Sequence, residues 1–223
     1  MMKSTKMISI VGAERGDYPY FLARMFEEKK FRILVIDNSC SHDLFLALNN
    51  ADEDSDYVER GRTVFMRNKT VARDDTGALE KFDIVIVFHG LHVDYDLIDL
   101  SDKVVCLTDY LPTTVRYIVD NIDMEYIDEF NKESFYLVFL DKPSGKVSEQ
   151  VIRHSLSLNG VENEAVIYTD EGNQNAYINL CYNGAQSLKG LSGEYRNSLK
   201  EIRAAILGET KKRKKEKDKE DEE

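Results

Sequence analysis

Short runs of β-branched and other apolar residues alternate along the chain with segments of helical periodicity. Six runs are predicted to be strands, the first two of them buried: MISIVGA from Met7, FRILVIDNS from Phe31, FDIVIVFHG from Phe82, KVVCLTD from Lys103, SFYLVFLD from Ser134 and EAVIYTD from Glu164. These runs are continuously apolar rather than alternating, as expected when helices cover both faces of a mostly parallel sheet. The pattern therefore predicts an α/β fold with a doubly wound, mostly parallel sheet flanked by helices.

Helical patterns fill most of the remaining chain. The predicted helices are DYPYFLARMFEEKK from Asp17, a short SHDLFLALNN helix, one long PTTVRYIVDNIDMEYIDEF helix from Pro112, SEQVIRHSLSL, and the closing segments INLCYNGAQSLKGL and GEYRNSLKEIRAAIL. Residues 51–80 are polar and irregular, with TVFMRN and KTVAR predicted as a strand or an edge hairpin. We expect one domain over residues 1–208.

After Gly208 the composition changes to ETKKRKKEKDKEDEE, which has seven basic and seven acidic side chains and no apolar residue. Such a segment cannot bury a core, so residues 209–223 are predicted to form a disordered or solvated tail. Its basic cluster is a candidate for weak contact with a membrane surface or an acidic partner. The cluster consists of Lys211, Lys212, Arg213, Lys214 and Lys215.

Net charge, hydropathy and cysteine content indicate which binding partners and which cellular compartment to expect. The formal net charge of −11 disfavours general attraction to nucleic acid. No apolar run approaches the roughly 18 residues of a membrane span, and the start of the chain has no secretory cleavage pattern. The three cysteines lie far apart without a CxxC pair. These features favour a cytoplasmic location. The tail leaves open a peripheral attachment to the inner face of the membrane.

Three segments resemble the nucleotide-binding elements of the ParA/MinD family of P-loop ATPases. MISIVGAERGDYPYFLARMF lies where that family has a strand, a KGGxGK[ST][ST] loop and a helix. FRILVIDNSCSHDLFLAL follows with Asp37 at the end of its strand, and FDIVIVFHGLHVDYDLIDLSDKVVCLTDY stands where the family carries its metal-side Asp. Order, spacing and hydrophobic frame are similar over nearly the whole domain. The resemblance implies a P-loop NTPase-like fold and, as in several relatives, a homodimer.

The aligned positions depart from the family at the residues that handle phosphate and Mg²⁺. Glu14 replaces the signature Lys, Pro19 the Walker Lys, Tyr20 the metal-binding hydroxyl and Phe88 the metal-side Asp, while Asp37 keeps its counterpart. The degenerate loop is defined by Gly12, Glu14, Arg15, Gly16, Pro19, Tyr20, Asp37 and Phe88.

Each replacement removes a physical requirement of phosphoryl transfer. Pro19 has no N–H to donate, and Glu14 and Asp17 bring negative charge to the loop. A carboxylate about 4 Å from a phosphate charge costs roughly 4 kcal/mol at an effective dielectric of 20. Arg15 offsets this only partly, since it replaces neither Lys nor Mg²⁺. Asp17 is expected to act as the N-cap or as a first-turn acid, and so to satisfy the helix N-terminus instead of a ligand. The sequence predicts a pseudo-ATPase without a cofactor.

The leading functional hypothesis is a non-catalytic scaffold or localisation factor that acts through protein contacts. The resemblance points to pilus or secretion-system assembly as the specific role. Aromatic side chains are favoured at interfaces, and the predicted interface consists of Tyr18, Tyr20, Phe88, His89 and His92.

Three alternatives were weighed against the scaffold hypothesis. Asp37 lies about 20 residues beyond the first loop, as a dinucleotide-binding fold requires, although GAERGD is not GxGxxG. An atypical nucleotide- or dinucleotide-binding enzyme or sensor therefore remains open. Nucleic-acid binding through the tail is opposed by the acidic body. His89 and His92, with Asp94 and Asp96 nearby, lack a convincing third ligand, so no metal site is predicted.

Overall fold

The computed structural model describes residues 5–48, 56–67, 79–129, 134–158, 160–183 and 187–209. The strands are β1 (Lys6–Gly12), β2 (Ile33–Asp37), β3 (Tyr57–Arg60), β4 (Thr63–Arg67), β5 (Ile84–Gly90), β6 (Lys103–Thr108), β7 (Phe135–Lys142) and β8 (Glu164–Tyr168). The helices are α1 (Asp17–Glu27), α2 (Asp43–Ala47), α3 (Tyr95–Asp99), α4 (Pro112–Asn121), α5 (Met124–Glu129), α6 (Glu149–Ser155), α7 (Glu171–Asn183) and α8 (Gly193–Leu207). The predicted KTVAR element and the charged tail from residue 210 lie outside the described residues.

The eight strands form one sheet in the order β3-β4-β2-β5-β1-β6-β7-β8. Every pair is parallel except β3 with β4, which form an antiparallel hairpin at the edge. The connections from β6 to β7 and from β7 to β8 contain helices, as short turns cannot join parallel strands. The predicted doubly wound, mostly parallel α/β fold is confirmed.

Helices cover both faces of the sheet. Residues of α1, α7 and α8 form the largest apolar cluster with one face, where Phe21, Leu180 and Leu199 are buried. On the opposite face α3 to α6 bury Ile98, Ile118, Ile127 and Ile152 against the strands. The central strands are therefore buried on both sides, which is why their sequences read as continuous apolar runs.

Several elements differ from the sequence prediction. The helix α7 begins at Glu171 rather than at Ile178, and α3 is not among the predicted helices. The segment from Pro112 forms two helices, α4 and α5, rather than one, because Ile122 adopts an extended backbone that buries its side chain to 4% exposure. Asp123 then accepts a hydrogen bond from the Tyr126 N–H at 3.0 Å and begins the second helix. The edge hairpin pairs TVFMR with the preceding Tyr57–Arg60 segment.

The described part of the chain contains no helix that is both long and apolar enough to cross a bilayer.

Candidate functional site

The loop between β1 and α1 opens at the carboxyl edge of the sheet, with β1 lying between β5 and β6. In doubly wound folds the crevice outside this edge is the usual ligand site. The loop is closely packed. A Cβ on Gly12, whose φ is +100°, would lie 2.1 Å from the Leu107 carbonyl oxygen, and one on Gly16 would lie 2.6 Å from the Leu44 nitrogen. Both glycines are required because the loop touches the chain's own backbone.

The backbone N–H groups of this loop donate to carbonyl groups of the chain. The Ala13 N–H donates to Leu107 O at 2.8 Å, and the Arg15 N–H donates to Ala13 O at 2.8 Å. The Tyr18 N–H donates to Arg15 O at 3.2 Å. A phosphate-binding loop instead turns successive N–H groups towards the anion. These three donors already have partners within the fold.

Glu14 places a carboxylate among the loops at the carboxyl edge. Its Oε2 accepts from the Ser41 hydroxyl at 2.7 Å and from the Ser41 N–H at 3.2 Å. Its Oε1 accepts from the Leu91 N–H at 3.0 Å. Ser41 follows β2 and Leu91 follows β5, so one side chain joins three loops. The chain thereby supplies its own anion to backbone donors at this edge.

Arg15 is held by two carboxylates. Its guanidinium donates to both oxygens of Asp17, at 3.0 and 3.1 Å, and to Oδ2 of Asp141 at the end of β7. Asp17 is only 1% exposed and also accepts from the Tyr195 hydroxyl at 3.0 Å. Burial lowers the pKa of Arg15, but the charge and hydrogen bonds of Asp17, with Asp141, raise it above its ordinary value. The positive charge of Arg15 is therefore paired with carboxylates of the same chain.

The structure confirms Asp17 as a first-turn acid of α1 but not as its N-cap. Residue 16 is the N-cap of α1 and makes no side-chain capping bond, while Asp17 lies in the first turn. Its carboxylate binds Arg15 and Tyr195 rather than the helix N-terminus. A buried carboxylate needs a cation and hydrogen-bond donors to offset its desolvation cost, and Arg15 and Tyr195 supply both.

Asp37 ends β2 and organises the turn that follows. One oxygen accepts from the Ser39 N–H at 3.1 Å and the Ser39 hydroxyl at 2.5 Å, and the other accepts from the Phe45 N–H of α2 at 2.9 Å. Burial raises the pKa of Asp37, and these hydrogen bonds act in the opposite direction. The carboxylate thus has the turn and capping contacts that a lone acid at a strand end usually makes.

The sequence matches no family model and no curated protein. Solved structures match nearly the whole chain. The MinC:MinD cell division protein complex of Aquifex aeolicus gives a TM-score of 0.64 at 11% identity, covering 95% of this chain and 99% of that one. A ParA family ATPase from Chlorobium tepidum gives 0.61 at 14% identity, covering 91% and 99%. The cell division ATPase MinD of Pyrococcus furiosus gives 0.57 at 13% identity, covering 92% and 99%.

The chain has a ParA/MinD-like fold. The resemblance suggested by the three sequence segments is confirmed at the level of the fold. At 11–14% identity the likeness extends to the fold alone.

Within this ParA/MinD-like fold, the predicted aromatic interface is wrong for four of its five residues. Tyr18, Tyr20, Phe88 and His89 are at most 1% exposed. Tyr18 hydrogen-bonds Ser198 of α8. These side chains belong to the core and cannot present a surface to a partner.

The packing of α1 explains why the aromatic residues are buried. Tyr20 stacks on Phe65 of β4 with ring centroids 5.7 Å apart. Tyr18 packs at 5.5 Å against Tyr195, which lies on α8 near the end of the chain. Of the five predicted interface residues, His92 alone is exposed.

His89 is a structural histidine at the end of β5. Its Nδ1 accepts from the Asp94 N–H at 3.3 Å, so Nε2 carries the proton and donates to the Ser9 hydroxyl at 3.1 Å. Ser9 in turn donates to Ser101 at 2.8 Å, and Ser101 donates to Leu97 O at 2.8 Å. Burial, with a smaller contribution from the charge of His92, lowers the pKa of His89 to about 4.

His89 lies near the end of β5, and His92 lies in the loop that follows it. Both ring nitrogens of His89 have partners in the chain, which leaves neither for a metal ion. Among the residues that the structure describes, no group of three His, Cys, Asp or Glu side chains could hold a metal ion.

Several partners at this edge were not found from the sequence. Ser41, Leu91, Asp141 and Tyr195 contact the loop from 27 to 178 residues away in the chain. Ordinary serine, leucine or tyrosine residues carry no motif that signals such contacts. Asp141 offers one weak signal, because it is an acid at the end of a buried strand and faces the same edge as Asp37.

Proposed function

We propose that this chain is a non-catalytic ParA/MinD-like protein that acts as a scaffold or localisation factor through protein contacts. The observation that carries the proposal is the position of Glu14, whose carboxylate accepts three hydrogen bonds from the loops after β2 and β5. A charge fixed in this way repels a second anion. For a phosphate charge about 4 Å away the cost is roughly 4 kcal/mol at an effective dielectric of 20.

The remaining residues of the loop support the same proposal. Pro19 is buried and has no N–H, and Tyr20 and Phe88 are buried in the apolar core. Arg15, the loop's own cation, is paired with Asp17 and Asp141. The residues present therefore do not fit a magnesium nucleotide, which needs a cation for its phosphates and an oxygen ligand for the metal.

The finer role is a further part of the proposal. Resemblance to the ParA/MinD family favours an accessory protein of pilus or secretion-system assembly. In this role the chain is placed in the cytoplasm, and residues Lys211, Lys212, Arg213, Lys214 and Lys215 contribute weak contact with an anionic membrane surface. Affinity capture from native cells, followed by identification of the bound proteins, tests the role. Recovery of only ribosomal and chaperone proteins would argue against a dedicated assembly partner.

Calorimetry tests the loss of nucleotide binding directly. We expect purified protein to show no heat of binding with ATP, ADP, GTP or NADH at concentrations up to about 1 mM, with or without Mg²⁺. Phosphate release from ATP should equal that of the buffer. Glu14→Gln removes the fixed charge, and Glu28→Gln, an exposed acid beyond the end of α1, is its matched control.

The outcomes separate the proposal from its alternative. Micromolar binding of any nucleotide by the wild-type protein would favour the nucleotide or dinucleotide sensor instead. ATP turnover that disappears in Arg15→Ala or Asp37→Ala would overturn the non-catalytic interpretation. The described contacts of Asp37 with Ser39 and Phe45 give the dinucleotide alternative no additional support, since both carboxylate oxygens already accept hydrogen bonds.

A further inference from the structure

A small pocket with a volume of about 150 Å³ opens at the amino edge of the sheet, where β2 and β4 begin. The side chains that matter for its chemistry are those of Arg32, Arg62, Glu59 and Phe82. The loop between β1 and α1 lies at the opposite end of the strands. Since a strand of five residues such as β2 is about 17 Å long, the pocket is separate from that loop.

Arg32 and Arg62 lie side by side at this edge. In the parallel pair of β2 with β4, Ile33 is level with Thr63, and the Ile33 N–H donates to Arg62 O at 3.0 Å. The two arginines each precede one of these paired residues, so they occupy the same level on neighbouring chains about 4.8 Å apart. Both line the same pocket. Like charges placed opposite one another in a sheet repel, so this arrangement costs free energy unless an anion lies between them.

The chain itself supplies no carboxylate to this pair of arginines. Among the residues that the structure describes, no Asp or Glu side chain lies within ion-pairing distance of Arg32 or Arg62. Elsewhere in the molecule, ion pairs with Asp or Glu are made by Arg15, Arg24, Arg116 and Arg153. Two adjacent arginines without a carboxylate, in a chain with a formal net charge of −11, point to an anionic ligand.

The contacts that hold the two guanidinium groups leave most of their donors unused. The Cζ of Arg32 lies 5.7 Å from the centroid of the Phe82 ring, and this contact uses no N–H group. Arg62 donates one N–H to Lys30 O at 3.3 Å. A guanidinium carries five N–H donors in a planar fork that matches the oxygens of a phosphate group. The pair therefore offers two forks to one ligand.

Three carboxylates lie near the pocket and limit its affinity. Glu27 is paired with Arg24, and Asp83 accepts the backbone N–H of Arg32 at 2.9 Å. Glu59 lines the pocket itself and opposes the charge of the two arginines. We therefore expect a weak site, whose affinity rises when Glu59 is neutralised.

We propose that Arg32 and Arg62 bind a phosphate group in this pocket, either as inorganic phosphate or as the terminal group of a phosphomonoester. The pocket volume of about 150 Å³ is several times the roughly 30 Å³ of one water molecule in the liquid, which suits a small polyatomic anion. The two forks suit the oxygens of a dianion better than those of a single carboxylate. This inference goes beyond the scaffold role and does not depend on it.

Nuclear magnetic resonance of the full chain tests the proposal. The probe is inorganic phosphate from about 0.1 to about 30 mM, at an ionic strength held constant with sodium chloride because exposed charges are screened by salt. The arginine Nε–Hε signals of Arg32 and Arg62, assigned from their glutamine variants, should shift and saturate with a Kd of about 5 mM. Acetate, which has one charge and one pair of oxygens, should bind at least about 5-fold more weakly.

Three variants separate this site from general attraction of anions. Arg62→Gln removes one fork and should raise the phosphate Kd, followed at the Arg32 signal, at least about 5-fold. Glu59→Gln removes the opposing charge and should lower the Kd about 2- to 3-fold. Arg196→Gln changes an exposed arginine on α8 and is the matched control, for which the Kd should stay the same. Far-UV circular dichroism checks that each variant is folded.

Vesicle sedimentation distinguishes the two sources of the phosphate group. Phosphatidic acid presents a terminal phosphomonoester, whereas phosphatidylserine does not. If the ligand is a lipid headgroup, the full chain should bind phosphatidylcholine vesicles with about 20% phosphatidic acid more tightly than those with about 20% phosphatidylserine, and Arg62→Gln should abolish this preference. Equal binding to both vesicles would assign the site to a soluble phosphate compound.

Three results would overturn the proposal: phosphate shifts that do not saturate, a Kd unaffected by Arg62→Gln, or acetate bound as tightly as phosphate. The test also stays distinct from the loss of nucleotide binding at the loop after β1. Arg62→Gln leaves Glu14 unchanged, so any nucleotide binding that this variant loses belongs to the amino edge, and any that it keeps belongs elsewhere.

Discussion

The carboxyl edge around Glu14 and the surface between α4 and α6, which we call the α4/α6 face, are two regions of opposite character. At the edge, each charged group of the loop is matched within the chain, and Arg15 binds Asp17 and Asp141. On the α4/α6 face, Val119 and Val151 are substantially exposed beside an open groove. The edge is where a fold of this type usually holds its ligand. In this chain the charged groups of the edge have partners within the fold, whereas the apolar side chains of the α4/α6 face are exposed to water.

Surface that could still contribute binding energy lies on the apolar face and not at the edge. A closed network of charges stabilises the fold only if every member keeps its partner, so its removal should be costly. An exposed apolar rim contributes little to the stability of the monomer but leaves apolar surface that another molecule can cover. Substitutions in the two regions should therefore affect stability and association in opposite proportions.

The largest loss of stability is expected from Asp17→Ala. The substitution leaves the partly buried Arg15 with Asp141 as its remaining carboxylate and removes the acceptor of the Tyr195 hydroxyl. We expect a decrease of about 3 to 4 kcal/mol in the free energy of unfolding, measured by urea denaturation. Asp120→Ala, which breaks an exposed pair, should cost less than about 1 kcal/mol. Equal effects of the two variants would mean that the edge network is no more than a surface ion pair.

Gly16→Ala tests whether the loop is closed by its own backbone. The added Cβ would lie 2.6 Å from the Leu44 nitrogen, so either the loop or α2 must move. Overpacking of this kind costs about 2 to 3 kcal/mol. Gly193→Ala is the matched control in the first turn of α8, because nothing lies within 4 Å of its added Cβ, and a gain of up to about 1 kcal/mol is expected. A fully stable Gly16→Ala protein would show that the loop has free space.

The sequence predicted the strands and helices better than the side-chain contacts between distant parts of the chain. The six predicted strands follow from local apolar runs, and the helices α1 and α2 from local periodicity, so most of the sheet could be foreseen. The same local reasoning placed Tyr18 and Tyr20 at an interface. It failed there because Tyr18 packs against α8, more than 170 residues further along the chain, and Tyr20 stacks on Phe65 of β4. Contacts of this range depend on packing rather than on local pattern.

At the candidate site too, contacts between residues close in sequence could be predicted and long-range contacts could not. Asp37 was interpretable from its position at a strand end, because its partners lie two and eight residues away. Glu14 was correctly seen as a charge in the loop, yet its bonds to Ser41 and Leu91 required the fold to bring three loops together.

Acid should weaken the edge through His89. The unfolded chain binds a proton near the ordinary histidine pKa of 6.5, whereas the folded protein binds one at His89 only near pH 4. Stability is therefore unaffected by His89 above pH 6.5 and falls as the pH is lowered towards 4. Between about pH 7.5 and about pH 5 the expected loss is about 2 kcal/mol.

Urea denaturation at these two pH values checks the contribution of His89. His89→Gln keeps a donor and an acceptor but does not titrate, so its loss of stability between the two pH values should be about 2 kcal/mol smaller than that of wild type. His154→Gln, an exposed histidine on α6, should behave as wild type. Identical pH dependence in the His89→Gln and wild-type proteins would show that the neutral hydrogen-bond chain from His89 to Ser101 does not resist protonation.

The smallest effect on stability is expected on the α4/α6 face, from Val151→Asp. Val151 is 64% exposed, so most of its apolar surface is already in contact with water in the monomer. Val151 is also the third residue of α6, so the carboxylate introduced by Val151→Asp would interact favourably with the helix N-terminus. The free energy of unfolding should change by less than about 0.5 kcal/mol. Ile152→Ala, one residue further along the same helix, removes a buried side chain and should cost about 2 to 4 kcal/mol. A large loss in Val151→Asp would mean that the rim is part of the core, and the contrast between a closed edge and an open face would then disappear.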